Sequence, residues 1–450
     1  METQNESYTV TAVDLTHDGL GVVRLEDGYT VFVGGLLKGE KAVITVTERR
    51  KSYGFGSITE LLERSPFRVA PRCVHFETCG GCDLMHMDYD VQLAFKKYRL
   101  ETTLKRAGME NIPVGDMIGM VNPYHYRNKI EIKFAQGEKG LEAGFFRAKS
   151  HELVNLQECY IMPKRIFDLI VLLKNVGNEL GIKAFDPASG TGVLKSAVLR
   201  ESGKTKAISL LLQLANDNLP SPELLVQKLR AKTPELASVA TTVTQDESTL
   251  SQDRIKILYG TETILDSIGN LDFEIGFRSF FQTNILQTEH LYQKALEYAG
   301  LTGKERIIDA YCGIGTIGLF AASKAYKVFG IEVIKSAIQD ARKNAERNQI
   351  ENAFFEVGEA EEVIGKWLKF KFDVLFVDPP RKGCDPKFLE AVIGMKIPKV
   401  VYVSCDPATL VRDLKILTDG GYAVQEITPV DMFPQTIHVE SVSLLTLKNA

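Results

Sequence analysis

The stretch Arg306-Ile307-Ile308-Asp309-Ala310-Tyr311-Cys312-Gly313-Ile314-Gly315-Thr316-Ile317-Gly318 decides the fold. A short apolar strand runs into G-x-G-x-x-G, and a helical pattern follows. Glycine lets the backbone turn tightly and approach a ligand closely, so this strand–loop–helix reads as a nucleotide-type site. Working outward, strand and helix patterns alternate across 275–450. Strands are expected at 306–310, 327–331, 353–357, 374–377, 400–403 and 422–427, with an added edge strand at 438–447. Such alternation predicts a doubly wound α/β domain: a parallel sheet with helices on both faces. Ligands bind beyond the carboxyl ends of such strands. Glu332 closes the second strand, where a carboxylate can accept both ribose hydroxyls. On these residues a nicotinamide cofactor fits as well as S-adenosylmethionine.

Upstream, residues 1–62 are rich in strand signals punctuated by glycine, which suggests a small OB-like barrel. Arg49, Arg50 and Lys51 sit beside Tyr53 and Phe55. Cations that meet phosphates next to rings that stack on bases suit a single-stranded nucleic acid. Residues 63–274 form a central α+β region that reads as less regular, with a long helix at 85–108, a strand in the second half of 124–134 and another apolar strand at 206–214.

The chain carries 54 basic and 58 acidic residues, a net charge of -4, which excludes a globally basic nucleic-acid binder. An RNA partner must therefore meet local patches, for which Arg127, Lys129 and Lys133 are further candidates. With 44% hydrophobic residues, the 450-residue chain is not a disordered tail protein. No run approaches the roughly 18 apolar residues that span a bilayer. The polar start at 1–9 has no secretory pattern, so a cytoplasmic protein without membrane contact is expected, and a monomer. Seven cysteines at uneven spacing make a poor disulfide framework.

Two later strand ends narrow the chemistry. After 374–377 comes Asp378-Pro379-Pro380-Arg381, a carboxylate on a stiff turn for which a dehydrogenase has no need. The motif is similar to the Asp-Pro-Pro-aromatic loop of amino-methylating enzymes, but Arg381 in place of the aromatic argues against an exocyclic amine. After 400–403 comes Ser404-Cys405-Asp406-Pro407-Ala408-Thr409-Leu410. Cys405 stands just before a helix, whose N-terminus is expected to lower the thiol pKa. Cys312 and Cys384 lack that setting and read as structural.

Together with His438-Val439-Glu440 and Phe280-Phe281-Gln282-Thr283-Asn284, these motifs resemble the RumA/TrmA-type family of RNA uracil-C5 methyltransferases along nearly the whole chain. The resemblance implies a Rossmann-like methyltransferase domain at 275–450 and a TRAM barrel at 1–62. It implies Cys405 as nucleophile toward uracil carbon 6 and Glu440 as the base that removes the carbon 5 proton. It implies Gln282, Tyr311, Glu332 and Asp378 as contacts for S-adenosylmethionine. The competing readings are a cytosine-C5 enzyme and a non-catalytic RNA-binding protein; the presence of both Cys405 and Glu440 argues against the latter.

Cys73, Cys79 and Cys82, with Cys159 far downstream, form a second group. Four thiolates close either a zinc site or an iron–sulfur cluster. The spacing is similar to the [4Fe–4S] motif of the family's 23S rRNA branch, which the tRNA branch lacks together with the TRAM domain. A [4Fe–4S] cluster, with zinc as the alternative, and 23S rRNA as substrate are therefore what the resemblance implies; tRNA is the alternative substrate.

Overall fold

The computed structural model describes residues 6–148, 150–244 and 254–448. The N-terminal segment is a six-stranded sheet built from Ser7–Thr11, Asp14–Leu15, Gly21–Arg24, Thr30–Val33, Lys41–Arg49 and Tyr53–Glu63. Strict alternation along Lys41–Arg49 buries Ala42, Ile44 and Val46 and turns the intervening residues outward. A Cβ at Gly54 would lie 2.7 Å from the Glu48 carbonyl, so only glycine lets these paired strands close up there.

The central segment is more regular than its sequence suggests. It forms a seven-stranded sheet in the order Ile255–Tyr259, Leu236–Val243, Ile208–Leu214, Leu194–Glu201, Lys129–Gly137, Gly140–Phe146, Leu153–Asn155. Helices Lys164–Glu179 and Pro222–Lys232 share its core. The apolar strand expected at 206–214 is present as Ile208–Leu214, buried at every position.

The C-terminal sheet has seven strands: β1 (Arg306–Ala310), β2 (Lys327–Glu332), β3 (Ala353–Val357), β4 (Val374–Val377), β5 (Lys399–Ser404), β6 (Tyr422–Val430) and β7 (Glu440–Leu447). Their order is β3-β2-β1-β4-β5-β7-β6. The first five run parallel, and β7 is antiparallel to both neighbours. The last strand is therefore not the edge. It inserts between β5 and β6, because a β6–β7 hairpin folds back to place β7, not β6, beside β5.

The helices are α1 (Tyr89–Arg106), α2 (Ile285–Ala299), α3 (Thr316–Ala322), α4 (Lys335–Arg347), α5 (Ala360–Lys366), α6 (Pro386–Met395) and α7 (Pro407–Asp419). One face of the sheet packs against α2, α3 and α4 through Leu291, Ile317 and Ile338. The other packs against α5, α6 and α7 through Val363, Phe388 and Leu410. On this second face lies α1 as well, through Leu100 and Leu104, although it comes from the middle of the chain. Its start is later than the expected 85, because Asp88 caps it by accepting the Asp90 N–H at 3.1 Å.

Candidate active site

The glycine loop after β1 is set by three positive φ angles, Tyr311 at 63°, Gly313 at 55° and Gly315 at 84°. A Cβ at Gly315 would strike the Phe355 ring at 3.0 Å, whereas Gly313 faces open space. The Gly313 N–H donates to Glu332 at 3.1 Å and the Ile334 N–H to the other oxygen at 2.9 Å, which fixes Glu332 at the end of β2. Tyr311 turns its ring inward, 5.6 Å from Phe388. What it offers the loop is its backbone.

The register of the sheet assembles the chemistry. Val377 of β4 lies beside both Ala310 and Tyr402, and Ser404 of β5 pairs with Ser441 of β7. One step further along each strand stand Asp378, Cys405 and Glu440. Cys405 thus stands across from Glu440 at the carboxyl edge, half-buried, and Glu440 is buried. Burial and the negative charge of Asp378 push Glu440 up to about 8, with Arg381 opposing. Burial raises Asp378 to about 6.

The thiol of Cys405 is not lowered as its place before a helix suggests. Burial, Glu440 and Asp378 push it up to about 11, and Arg381 only partly offsets them. The helix N-terminus is also already occupied. Asp406 is the N-cap of α7, and its carboxylate accepts the Ala408 and Thr409 N–H groups at 2.9 and 3.0 Å. The donors that would favour a thiolate are taken by a neighbouring anion.

Three residues of the site carry little signal in the sequence. Asp309, buried within β1, accepts the Gly318 N–H at 2.7 Å and is nonetheless raised to about 7 by burial, Asp378 and Glu332. A carboxylate inside an apolar strand is the signal that could have found it. Tyr292 of α2 is fully buried, with its hydroxyl 2.8 Å from that of Thr316. Asp413 of α7 accepts from the Cys384 N–H (2.8 Å), Tyr402 hydroxyl (2.6 Å) and Arg412 guanidinium (2.7 Å), pinning the Asp378–Cys384 loop against β5. Gly383 is obligatory in that loop, since its Cβ would meet Arg412 and Asp413. The buried thiols of Cys312 and Cys384 are packed inside and raised by burial, as structural cysteines are.

Asp309, Glu332, Asp378 and Glu440 therefore gather at one sheet edge, with Arg381 opposing the shift of Glu440. A cation placed among them, such as the sulfonium of S-adenosylmethionine, favours their ionised forms. Gln282 is buried just before α2, whose N-cap Asn284 accepts the Gln287 N–H at 3.3 Å and donates to the Met432 carbonyl at 3.0 Å. That bond ties the segment bearing Gln282 to the one leading to Glu440.

The four other cysteines converge although Cys159 is remote in sequence. Cys73, Cys79, Cys82 and Cys159 line one small pocket, with Phe76, Met85 and Phe145 in its wall. Burial and the neighbouring thiols raise Cys82 strongly, and burial raises Cys159 to about 11. The Gln157 N–H donates to His75 at 2.9 Å and the Val74 N–H to Glu158 at 3.0 Å, so backbone bonds hold the two segments together. Among the described residues, no group of three or more His, Cys, Asp or Glu side chains is arranged to hold a metal ion.

The candidate phosphate contacts fare unevenly. Arg49 and Arg50 stack over Tyr29 and Tyr53 at 5.1 and 5.4 Å, which brings cations and rings together on the barrel. Both are also ion-paired, to Glu6 and Glu48, each at 2.7 Å. Lys129 is half-buried and lowered to about 8 by burial and Arg200, and Lys133 pairs with Glu131 at 2.8 Å. Arg127 lies 5.9 Å over Phe433, in the loop before Glu440.

The family model described as tRNA (Uracil-5-)-methyltransferase matches residues 225–448, and the TRAM domain model matches 2–59. An uncharacterized RNA methyltransferase of Halalkalibacterium halodurans is 43% identical over 99% of this chain and 98% of its own. One of Caldanaerobacter subterraneus is 43% identical over 98% of each. The crystal structure of Pyrococcus abyssi tRNA (uracil-54, C5)-methyltransferase with S-adenosyl-L-homocysteine superposes with a TM-score of 0.78 at 31% identity, covering 98% of this chain and 100% of that one. Among the described residues, no helix is long and apolar enough to cross a membrane. With an acid-lined cofactor edge, a cysteine facing a carboxylate and these full-length likenesses, the chain belongs to the S-adenosylmethionine-dependent RNA uracil-C5 methyltransferase family.

Proposed function

We propose that this enzyme methylates carbon 5 of a uridine in 23S rRNA through a covalent adduct on Cys405. The observation that carries the mechanism is the register that sets Cys405 across from Glu440, beside Asp378. Carbon 5 of uracil is a weak nucleophile. The Cys405 thiol gives up its proton to solvent, and addition of the sulfur at carbon 6 makes the ring an enolate whose carbon 5 attacks the donor's methyl group. S-adenosylmethionine supplies that methyl group, and its positive charge beside Asp378 offsets the field that holds the thiol near 11. Glu440, as its carboxylate, then takes the carbon 5 proton, and the carbon 6–sulfur bond breaks to release the methylated RNA and the Cys405 thiolate, which regains its proton from solvent. Gln282, Glu332, Asp378 and the backbone at Tyr311 hold the donor.

The cluster reading is supported by the sequence motif and by the convergence of the four cysteines on one pocket, although their thiols are not arranged to hold a metal ion as they stand. Cys73, Cys79, Cys82 and Cys159 would hold one [4Fe–4S] group, which closes the central domain and carries no electrons in a reaction that moves none. The cluster's link to the rRNA branch favours 23S rRNA. A tRNA uridine is the second reading, because the Pyrococcus abyssi enzyme, named for tRNA, shares the full length of the fold.

Mapping 5-methyluridine by mass spectrometry in rRNA and tRNA from a strain lacking the gene tests this. Loss at one or more 23S uridines with tRNA intact is expected. Loss confined to tRNA selects the second reading, and no loss in either RNA overturns both.

A further inference from the structure

The residues joining β6 to β7, 431–439, lead directly into Glu440. Almost everything that holds them comes from outside their own sheet. Asp431 is fully buried and accepts from the Lys96 ammonium at 2.5 Å and the Tyr89 hydroxyl at 2.8 Å. Lys96 also donates to the Phe433 carbonyl at 3.0 Å, and the Tyr126 hydroxyl donates to that of Pro434 at 2.9 Å.

Gln435 is the centre of the arrangement. It is buried and left-handed, with φ 70°, a conformation that a residue with a side chain keeps only when its surroundings impose it. Its N–H donates to the Gln92 side-chain oxygen at 3.1 Å, and the Gln92 amide donates back to its side chain at 3.0 Å. Its carbonyl accepts the N–H groups of Asp83 and Leu84 at 2.9 and 3.0 Å. Asp83 in turn accepts the Ile437 N–H at 3.1 Å, while Arg99 donates to the Ile437 carbonyl. Asp83 follows Cys82 directly.

We propose that Gln92 and Asp83 are positioning residues for Glu440. The clamp on Gln435 sets where that carboxylate stands, and it joins the cysteine-bearing loop mechanically to the proton-removal step. This rests on the reading of Glu440 as the carbon 5 base. It goes beyond that reading in naming the groups that aim the base and the step they govern. A base displaced by a fraction of an ångström still permits thiol addition and methyl transfer, in which it takes no part. Only the breakdown of the methylated adduct slows.

The test is single-turnover methylation by the full chain, with labelled S-adenosylmethionine and a uridine-containing rRNA fragment. Methyl incorporation and the lifetime of the protein–RNA adduct on denaturing gels are followed together. Gln92→Met keeps the bulk and removes both bonds to Gln435, together with the one to the Met87 carbonyl. It should leave methyl incorporation within about 2-fold and prolong the adduct by roughly 10-fold or more. Gln435→Gly suits the left-handed backbone and removes only the side-chain bond, so it should prolong the adduct less. This variant decides the matter if Gln92→Met does not fold. The proposal is overturned if neither variant prolongs the adduct while Glu440→Gln traps it, or if incorporation falls as much as release. If Glu440→Gln itself turns over normally, the base reading fails, and the clamp's assigned role goes with it.

Discussion

Cys405 and Glu440 are each unremarkable in isolation: a cysteine before a helix and a carboxylate at the start of a strand. Their meaning comes from a pairing of β5 with β7 that the sequence could not display, because it depends on the order in which the last two strands join the sheet. Cys405→Ala should abolish methyl transfer while S-adenosylmethionine still binds, since the carboxylates and glycine loop are untouched. Calorimetry alongside a methylation assay checks this, and appreciable turnover by the variant would contradict it.

The raised carboxyl of Glu440 also has a stability consequence. Its pKa is about 8 in the folded chain against an ordinary 4.5, so the folded state holds the proton more tightly than the unfolded state. That contribution is present below about pH 4.5 and is lost as pH rises through 8. Glu440→Gln has no such proton to lose. The melting temperature of the ligand-free variant should therefore gain on that of the native chain as pH is raised from about 5 to 8. A constant difference across that window would show that the carboxyl is not raised. Asp309, raised to about 7, and Asp378, to about 6, act in the same direction in both proteins, so the comparison isolates Glu440.

Among elements, the parallel strands β1 to β5 and the loop Tyr311–Gly318 were legible because apolar runs, glycines and helix patterns alternate at short range. The position of β7 was not, nor was the allegiance of α1. Nothing within 89–106 says that Leu100 and Leu104 pack under a sheet whose strands begin some two hundred residues later. In the central sheet the strand at 206–214 was legible as an apolar run, while the strands on either side of it were not. The cysteine group was legible as a pattern, and the fold adds what spacing alone left open, namely that Cys159 comes to the same pocket as Cys73, Cys79 and Cys82. Cys159→Ser should cut stability and soluble yield more than it cuts the methyl-transfer rate of the folded fraction. Anaerobically purified native chain should carry about four irons. About one zinc and no iron would leave a four-cysteine zinc site instead.

At the scale of the molecule, the acidic total conceals local basic and aromatic patches on the barrel and beside the active site. Each phosphate neutralised on a single strand contributes a slope of roughly -0.7 in log K against log salt. RNA affinity should therefore fall with salt, and deletion of residues 1–62 should make that slope shallower. Because Arg49 and Arg50 are already paired with Glu6 and Glu48, the barrel's share is expected to be modest. A salt-independent affinity would contradict an electrostatic footprint on either patch.

The central claim is that Cys405 bonds to carbon 6 of a uridine whose carbon 5 receives the methyl group. Its most direct test is mass spectrometry on the Glu440→Gln chain after reaction with RNA and S-adenosylmethionine, followed by nuclease and protease digestion. The account predicts a peptide in which Cys405 carries a uridine nucleotide with one added methyl group, and no such species when Cys405 is alanine. A methylated uridine with no nucleotide ever attached to Cys405, or a methyl group on any atom other than carbon 5, would contradict it.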